Sequence, residues 1–585
     1  MAFFEKEYAL TALSQPSPRR ITLFSGRRGR VVRENILAYL FILPAVTIIG
    51  TFGIFPVAFA LYVSLHKWQI KQGPFIGLDN YVNAISSLIY VAGFWLATGA
   101  LVAAFLYARR LWRITRESNQ GTWLWFLPGI LSGVSILLAI RWLVLAVPGV
   151  LAIADKVRGV KKTREVFIKF LDEAFSKPEV LAARNLALFL LALTIGLLIA
   201  AYWWKRLTPA RNGSSNRNYC SASHAAEYFG YTLTATLFAI AGPLVGWFTY
   251  REIVKSYATA LQKGTPLSIW AQAGTISAGV LLLLLAWFIW RKAAGLHSMK
   301  ATILRLTVAT LLLVAGWALI GELPPVVASG SKVMWKGLQT TIWYSISTVP
   351  FELSIGMILA ILLFQNIRGK SIYRVIFFLP YVTPSIASAA MFRVFFANRV
   401  SAPMNSLLNI FGIAPFQFLA EPTGVFQVLA TRLGIGDLPP WMGGPSLALV
   451  VICLFNIWTF VGYNTVIYLA GLGTIPRELY EVAEVDGAGR WAIFRHITFP
   501  LLSPTTYFLT LLATIGTFKA FNHIWVLRES AALGTTDTFS VVIFQEFFRN
   551  TRYGYASALA FVLFAIILTL TLINNRIAKE RVFYG

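Results

Sequence analysis

Two apolar stretches, 447–472 and 503–525, carry polar and aromatic side chains that could contact a polar solute. Polar groups at membrane depth are costly, so they usually face a bundle interior or a cavity. Amides hydrogen-bond hydroxyl groups and aromatic faces stack on sugar rings, which suits a solute rich in hydroxyls. The alternative is that these groups bond neighbouring helices. The candidate solute-path residues are Asn456, Trp458, Gly462, Tyr463, Asn464, Lys519, Asn522 and His523, the last three recurring at helical spacing.

The segment between these stretches, 475–504, has the pattern of two short helices joined by a glycine turn. Residues 478–486 alternate acidic and apolar side chains so that a helix would have one apolar and one acidic face. Gly487 and Gly489 permit a turn that a residue with a Cβ would resist. The pattern predicts a stiff loop, tied directly to two apolar stretches, whose apolar face fits a groove of a partner.

The sequence offers no arrangement for catalysis. No P-loop pattern GxxxxGK[ST] occurs, so the chain does not bind ATP in the P-loop manner. Neither a nucleophile with its base nor a His, Cys and Glu set at metal spacing is found, and Cys220 and Cys453 are too few for a disulfide framework. Glu352, beside Pro350 in an apolar stretch, is interpreted as a structural hydrogen-bonding group. We therefore expect no catalytic and no metal-binding residue.

The composition of the chain indicates that it is embedded in a lipid bilayer. Of its 585 residues 57% are hydrophobic and only 13% are charged, against about 25% charged in soluble proteins. Apolar runs long enough to cross a hydrocarbon core of ~30 Å recur along the sequence, and continuous runs favour helices over a closed barrel. The net charge of +27 lies mostly in short loops, as in membrane proteins, so we expect no nucleic acid. The predicted fold is an all-α, polytopic transmembrane bundle.

We predict twelve spans, an even number that puts both termini on the same side, and the Lys and Arg bias places that side inside. The spans are 36–65, 88–107, 123–151, 185–204, 228–250, 268–290, 302–322, 338–364, 377–396, 447–472, 503–525 and 555–576. The basic stretch 156–184 opposes this bias, and a broken or re-entrant pair at 123–153 would move it inside. Within this stretch, after the span 123–151, an amphipathic helix from about Val160 to Phe175 is predicted to lie in a membrane interface.

The segment 475–504 resembles the EAA loop of ABC importer permeases, whose pattern is EAA, three residues, G, nine residues and I-x-L-P. Val482 in place of the middle Ala and Phe499 in place of Leu are departures, both apolar. The flanking IPRELYE and DGAGRWAIF resemble the carbohydrate branch, and the first span and most of the chain from Met334 resemble maltose- and glycerol-phosphate-type permeases. The residues matched to the coupling loop are Glu481, Val482, Ala483, Asp486, Gly487, Ile497 and Pro500.

The resemblance implies a transport subunit and not an enzyme. In this family the loop docks on an ATPase subunit and transmits its closure to the membrane helices, so ATP and Mg²⁺ belong to partner subunits and this chain binds no cofactor. The implied partners are two cytoplasmic ATPase subunits, a second permease, an extracellular solute-binding protein, membrane lipid and a sugar-like solute. The implied location is the cell membrane, with both termini cytoplasmic. The sequence leaves a sugar, a polyol and glycerol phosphate open as the solute.

The family pattern also divides the chain. We predict a basic cytoplasmic tail at 1–35, a first core helix and outer loop at 36–87, an inserted group of about six helices at 88–325 and the remaining permease core at 326–585. The insert suits a lipid-facing scaffold, a partner dock or a regulatory module. Two other functions compete: a polytopic membrane transferase, which needs clustered acidic or His residues at a membrane face, and a secondary transporter, which needs inverted repeats and intramembrane charges.

Overall fold

The computed structural model describes most of the chain, and its described residues are almost entirely helical. They are 27–117, 123–157, 164–207, 220–264, 269–293, 299–320, 330–439 and 442–581, so most of the predicted basic tail lies outside them. Among these residues β-structure is limited to two isolated bridges, His66 with Phe75 and Gly424 with Ser446. The predicted all-α class is confirmed.

By its internal contacts the chain divides into two units, 1–76 with 336–585, and 77–335. The predicted insert, 88–325, lies within the second unit. The first unit begins with α1 (Arg27–Ile48) and α2 (Phe55–Ser64), which a π-helical turn, Ile49–Ile54, joins. The second unit contains α3 (Asp79–Ile85), α4 (Leu88–Glu117), α5 (Trp123–Leu151), α6 (Ile153–Lys156), α7 (Arg164–Phe175), α8 (Pro178–Leu207), α9 (Cys220–Lys263), α10 (Ile269–Ala293) and α11 (Met299–Ile320).

The remaining helices belong to the first unit, except for the first residues of α12. Its long helices are α12 (Lys332–Phe364), α17 (Leu447–Leu472), α21 (Ser503–Lys519) and α24 (Tyr553–Arg581). Its shorter ones are α13 (Lys370–Val382), α14 (Ser385–Phe395), α15 (Pro403–Ile410), α16 (Val425–Arg432), α18 (Arg477–Val485), α19 (Arg490–Ile493), α20 (Phe499–Leu501), α22 (Asn522–Leu527) and α23 (Phe539–Phe544). Two π-helical turns, Phe494–Thr498 and Gln545–Arg549, and a 3₁₀ turn, Ser530–Ala532, lie between them.

Within the described residues, ten helices are long and apolar enough to cross a membrane, and two bent helix pairs raise the number to twelve. Each of the twelve predicted spans corresponds to one of them. The predicted span 377–396 is not straight, because α13 and α14 meet at 93°. Thr383 adopts an extended conformation there, as expected of a residue that precedes a proline, here Pro384.

The basic stretch 156–184, which opposes the Lys and Arg bias of the predicted topology, follows an unbroken helix. α5 runs from Trp123 to Leu151 without interruption, so the alternative of a broken or re-entrant pair at 123–153 is not found. After it, α7 occupies most of the predicted amphipathic segment. Lys156 pairs with Glu173 at 2.6 Å and lowers the pKa of that carboxyl group. This ion pair therefore joins the end of α6 to α7.

Polar side chains join the helices of the second unit. The Tyr90 hydroxyl on α4 lies 2.7 Å from the Ser256 hydroxyl on α9. Just before this helix begins, Ser87 donates to the Gln272 side chain of α10 at 2.6 Å. Hydrogen bonds of this kind hold membrane helices together where lipid offers no competing partner. They fix the beginning of α4 between α9 and α10.

One face of α12 in the first unit is a stripe of hydrogen-bonding side chains. Thr341 accepts from the backbone N–H of Phe539 at 2.9 Å, and Ser345 accepts from Thr517 at 2.9 Å. On the same side of the helix, the side chains of Tyr344 and Glu352 bond to residues of α22 and α17. Positions 344, 345 and 352 follow Thr341 by three, four and eleven residues, about one and three helical turns, so the four side chains share one face of the helix. This face, the α12 stripe, fixes α17, α21, α22 and α23 around α12.

Replacement of Tyr90 by Phe tests whether the α4–α9 bond stabilises the second unit. The change leaves the ring and removes the hydroxyl from a side chain that is 1% exposed. We expect the free energy of unfolding in mixed detergent micelles to fall by about 1 kcal/mol. Tyr39→Phe is the control, since Tyr39 is 75% exposed. Equal stability of the two variants would contradict a structural role for this bond.

Candidate functional site

The coupling loop, 475–504, begins with an amphipathic helix that ends in a glycine turn. α18 spans Arg477–Val485, close to the predicted 478–486. Gly487 has φ +75°, a conformation that residues with a Cβ resist. The N–H of Ala488 bonds the Ala483 carbonyl at 2.9 Å, and the N–H of Gly487 bonds the Glu484 carbonyl at 3.0 Å. This pair of bonds is a Schellman motif, which sets the direction of the chain after the helix.

A second helical arm returns from the turn to the bundle. α19, a π-helical turn and α20 form one helical arm, 490–501, which meets α21 at 62°. The Tyr480 hydroxyl lies 3.2 Å from the Thr498 hydroxyl, so α18 is bonded to this arm. Tyr480 also packs against a buried cluster that contains Leu472, the last residue of α17, and Leu502, just before α21. The loop is thus fixed to both helices that it joins.

The apolar face of α18 has no covering element among the described residues. Val482 is 60% exposed, Val485 88% and Trp491, at the start of the arm, 69%. The acidic side chains of Glu481 and Asp486 beside them are exposed too. Of the predicted coupling residues, Glu481, Val482, Asp486 and Gly487 are exposed, whereas Ala483, Ile497 and Pro500 are half-buried. The loop therefore presents an apolar patch with an acidic rim.

A partly open cavity of about 680 Å³ lies between α12, α13, α14, α17, α21 and α22. It gathers six of the eight predicted solute-path residues: Asn456, Tyr463, Asn464, Lys519, Asn522 and His523. Asn464 is 3% exposed, and its amide nitrogen has no hydrogen-bond partner among the described residues. A buried amide without a partner is costly. The Asn464 side chain is therefore available to donate a hydrogen bond to a ligand in the cavity.

The wall contains a break that was not predicted. α21 ends at Lys519 and α22 begins at Asn522, so the predicted continuous span 503–525 is wrong at this point. Ala520 is extended, with ψ 129°, and Phe521 has φ −140°. Lys519 and Asn522 are both exposed at the cavity wall. Their side chains are therefore placed by a helix end and a helix start and not by a common helix face.

Two cavity residues also make structural bonds. His523 Nε2 lies 2.8 Å from the Tyr344 hydroxyl, and its ring stacks on Phe455 with centroids 5.2 Å apart. Asn456 donates to Glu352 Oε2 at 2.9 Å. Both Glu352 and Asn456 are buried, at 2% and 4% exposure. Glu352 has the partner that its position requires, and the α12 stripe forms part of the cavity wall.

The other two predicted residues lie outside the cavity wall. Trp458 is in contact with Phe392 and lines a separate apolar groove. Gly462 faces α13, where a Cβ would overlap the Phe377 carbonyl oxygen. Its role is therefore close helix packing and not contact with the solute.

Tyr381 on α13 was missed by the sequence reasoning, although it lines the cavity and stacks on Tyr463 with centroids 4.6 Å apart. The signal was available in the Pro residues that follow and precede it. Pro380 and Pro384 mark the bend that turns this part of α13 and α14 toward the cavity. A proline kink beside polar residues indicates a helix segment that lines a cavity, and this signal would have added Tyr381 to the candidate solute-path residues.

Comparison with known proteins decides the family. Residues 352–581 match a family described as binding-protein-dependent transport system inner membrane component. The probable ABC transporter permease protein YesP of Bacillus subtilis (strain 168) is 32% identical over 259 residues, which are 44% of this chain and 76% of YesP. This chain belongs to that family. The permease is also similar to the lactose transport system permease protein LacF of Rhizobium radiobacter, at 29% identity over 43% of the permease and 77% of LacF.

Among solved structures, the permease is similar to a chain of a bacterial ABC transporter involved in the import of the acidic polysaccharide alginate. The sequence identity is 22%, the match covers 47% of the permease and 95% of that chain, and the TM-score is 0.36.

The predicted family is confirmed. The permease is a multi-pass membrane subunit of an ABC importer, and neither a membrane transferase nor a secondary transporter is favoured. The family match begins at residue 352, so the second unit, 77–335, lies outside it. The coupling loop and the cavity both lie inside it.

Replacement of Gly462 by Ala tests the packing role of this glycine. The added methyl group overlaps the Phe377 carbonyl, so α13 must move away from α17. We expect a destabilisation of about 1–3 kcal/mol, measured as a lower thermal unfolding midpoint of the purified permease. The matched control is Gly516→Ala in α21, where a Cβ meets nothing within 4 Å. A Gly462→Ala variant as stable as this control would refute the close approach.

Proposed function

We propose that this permease forms one half of a carbohydrate translocation path and that an ATPase subunit drives it by docking on the coupling loop. The observation that carries the proposal is the connection between the two sites. The exposed patch of α18 and Trp491 belongs to the loop that joins α17 to α21 and packs against both of them through Tyr480, and both helices line the cavity. A push on the patch therefore acts on the cavity wall.

The mechanism is alternating access. A stiff loop passes a rigid-body displacement of the ATPase to the ends of α17 and α21, and small helix shifts of this kind switch packed bundles between discrete states. The Tyr480 to Thr498 bond at 3.2 Å and the Schellman turn support such stiffness, because they limit bending within the loop. The ATPase cycle then alternates the side from which solute reaches the cavity.

The partners follow from this mechanism. Two ATPase subunits bind and hydrolyse ATP with Mg²⁺, a second permease provides the other half of the path, and an extracellular binding protein delivers solute. This chain itself binds no cofactor. Both termini and the coupling loop lie in the cytoplasm, which the Lys and Arg bias between the spans supports.

A carbohydrate is the solute class that the cavity suits. Its wall combines amide groups with the stacked pair of Tyr381 and Tyr463. Amides pair with hydroxyl groups and aromatic faces cover sugar rings. LacF, the relative named for lactose transport, supports the same solute class.

Replacement of Val482 by Asp tests the docking patch. A carboxylate at the centre of an apolar contact must be desolvated when the ATPase docks, so we expect about tenfold less ATPase to co-purify with the permease from membranes, and uptake to fall with it. The control is Val400→Asp, because Val400 is 62% exposed but lies in the segment between α14 and α15. Loss of ATPase in both variants, or in neither, would count against the proposed dock.

Replacement of Tyr463 by Ala tests the cavity. Loss of one ring of the stacked pair removes a sugar-stacking face, and we expect KM for solute uptake to rise about tenfold while the amount of co-purified ATPase stays unchanged. Tyr373→Ala is the control, since Tyr373 is 47% exposed on the same helix as Tyr381 and does not line the cavity. Unchanged uptake by the Tyr463 variant would place the solute elsewhere.

A further inference from the structure

The helix break between α21 and α22 coincides with the cavity wall. All five residues from Lys519 to His523 line the cavity. Broken helices at membrane depth are tolerated where the irregular backbone lines a cavity, and in transporters such breaks provide groups for solute recognition. The break therefore has the location of a recognition site.

Lys519 is the charged group that this break exposes. It is exposed at the cavity wall, and among the described residues its ammonium group has no ion-pair or hydrogen-bond partner. The other charged residue of the wall, Glu352, is 2% exposed and accepts a hydrogen bond from Asn456. A solute in the cavity thus meets a free cation, whereas the carboxylate is buried and already bonded.

The end of α21 stabilises this cation. Lys519 is the last residue of the helix, where the unpaired carbonyl groups form the negative end of the helix dipole. The unpartnered amide nitrogen of Asn464 adds a buried donor to the same cavity. Two independent features, a cation and a buried donor without a partner, therefore call for a ligand with acceptor oxygens.

We propose that the break at 519–522 recognises an acidic sugar and that Lys519 binds its carboxylate. This inference rests on the proposed function and names the solute class more narrowly. A uronic acid unit supplies both a carboxylate for Lys519 and hydroxyl groups for the amides, whereas a neutral sugar leaves the ammonium group without a counter-charge. The permease then prefers the acidic member of any pair of otherwise equal sugars.

The test is binding of matched sugars to the complete permease and ATPase complex in nanodiscs, without the binding protein, by isothermal titration calorimetry. Two pairs serve as probes: digalacturonate with galactobiose, and cellobiouronic acid with cellobiose. Because a charge-assisted hydrogen bond is stronger than a neutral one, we expect the acid to bind at least about tenfold more tightly in one pair or both. The preference should decrease as salt is raised, because screening weakens the charge interaction.

Three variants assign the preference to Lys519. Lys519→Gln should reduce it to less than about twofold, and Lys519→Arg should keep most of it. Lys336→Gln removes a lysine that bonds the Leu533 carbonyl outside the cavity, and should leave the preference unchanged. Equal thermal midpoints of the variant complexes show that each of them is folded.

The inference is overturned by neutral sugars that bind as well as acids, by complexes that bind no member of either pair, or by a Lys519→Gln complex that keeps the preference. These results leave the proposed function standing. Failure of the permease to assemble with an ATPase is a separate result that removes the proposed function itself.

Discussion

The α12 stripe is the set of contacts on which the remaining architecture of the first unit depends. Lipid provides no hydrogen-bond partners, so each polar group on this face must find one in the protein. Thr341, Tyr344, Ser345 and Glu352 do so on four different elements, the start of α23, then α22, α21 and α17. Because an unmatched partner at this depth is costly, the stripe fixes the register of these elements along α12. The cavity is the space that this arrangement leaves open.

Hydrophobicity in the sequence was sufficient to place the twelve spans, because each must bury about the same length of chain in hydrocarbon. The bend at Thr383 and Pro384 was not predicted, although its cause is local, because a residue that precedes a proline is disfavoured in a helix. The break at 520–521 gives no such local signal, because no Gly or Pro lies between Thr517 and Leu527. Its cause is tertiary. Phe521 packs against Phe544, the last residue of α23, with ring centroids 4.6 Å apart, and this long-range contact replaces the helix.

The candidate site shows the same division between local and tertiary information. Periodicity and Gly487 predicted the helix and turn of the coupling loop, since both follow from neighbouring residues. Trp458 and Gly462 share an apolar stretch with Asn456 and Asn464, and the sequence did not separate the side of α17 that faces the cavity from the side that packs on α13. That distinction depends on where the bent pair α13 and α14 lies. The spacing of residues within α17 alone does not show which side of that helix faces the cavity.

In the proposed mechanism, the 62° bend between the arm at 490–501 and α21 determines the direction in which the coupling loop displaces α21. A displacement along the arm is resolved mostly across the axis of α21, and only a smaller part of it along that axis. The arm would therefore tilt α21 more than it would shift the helix along its own axis. Because Lys519 is at the far end of α21, the length of the helix multiplies a small rotation at Ser503 into a larger sweep at the cavity wall.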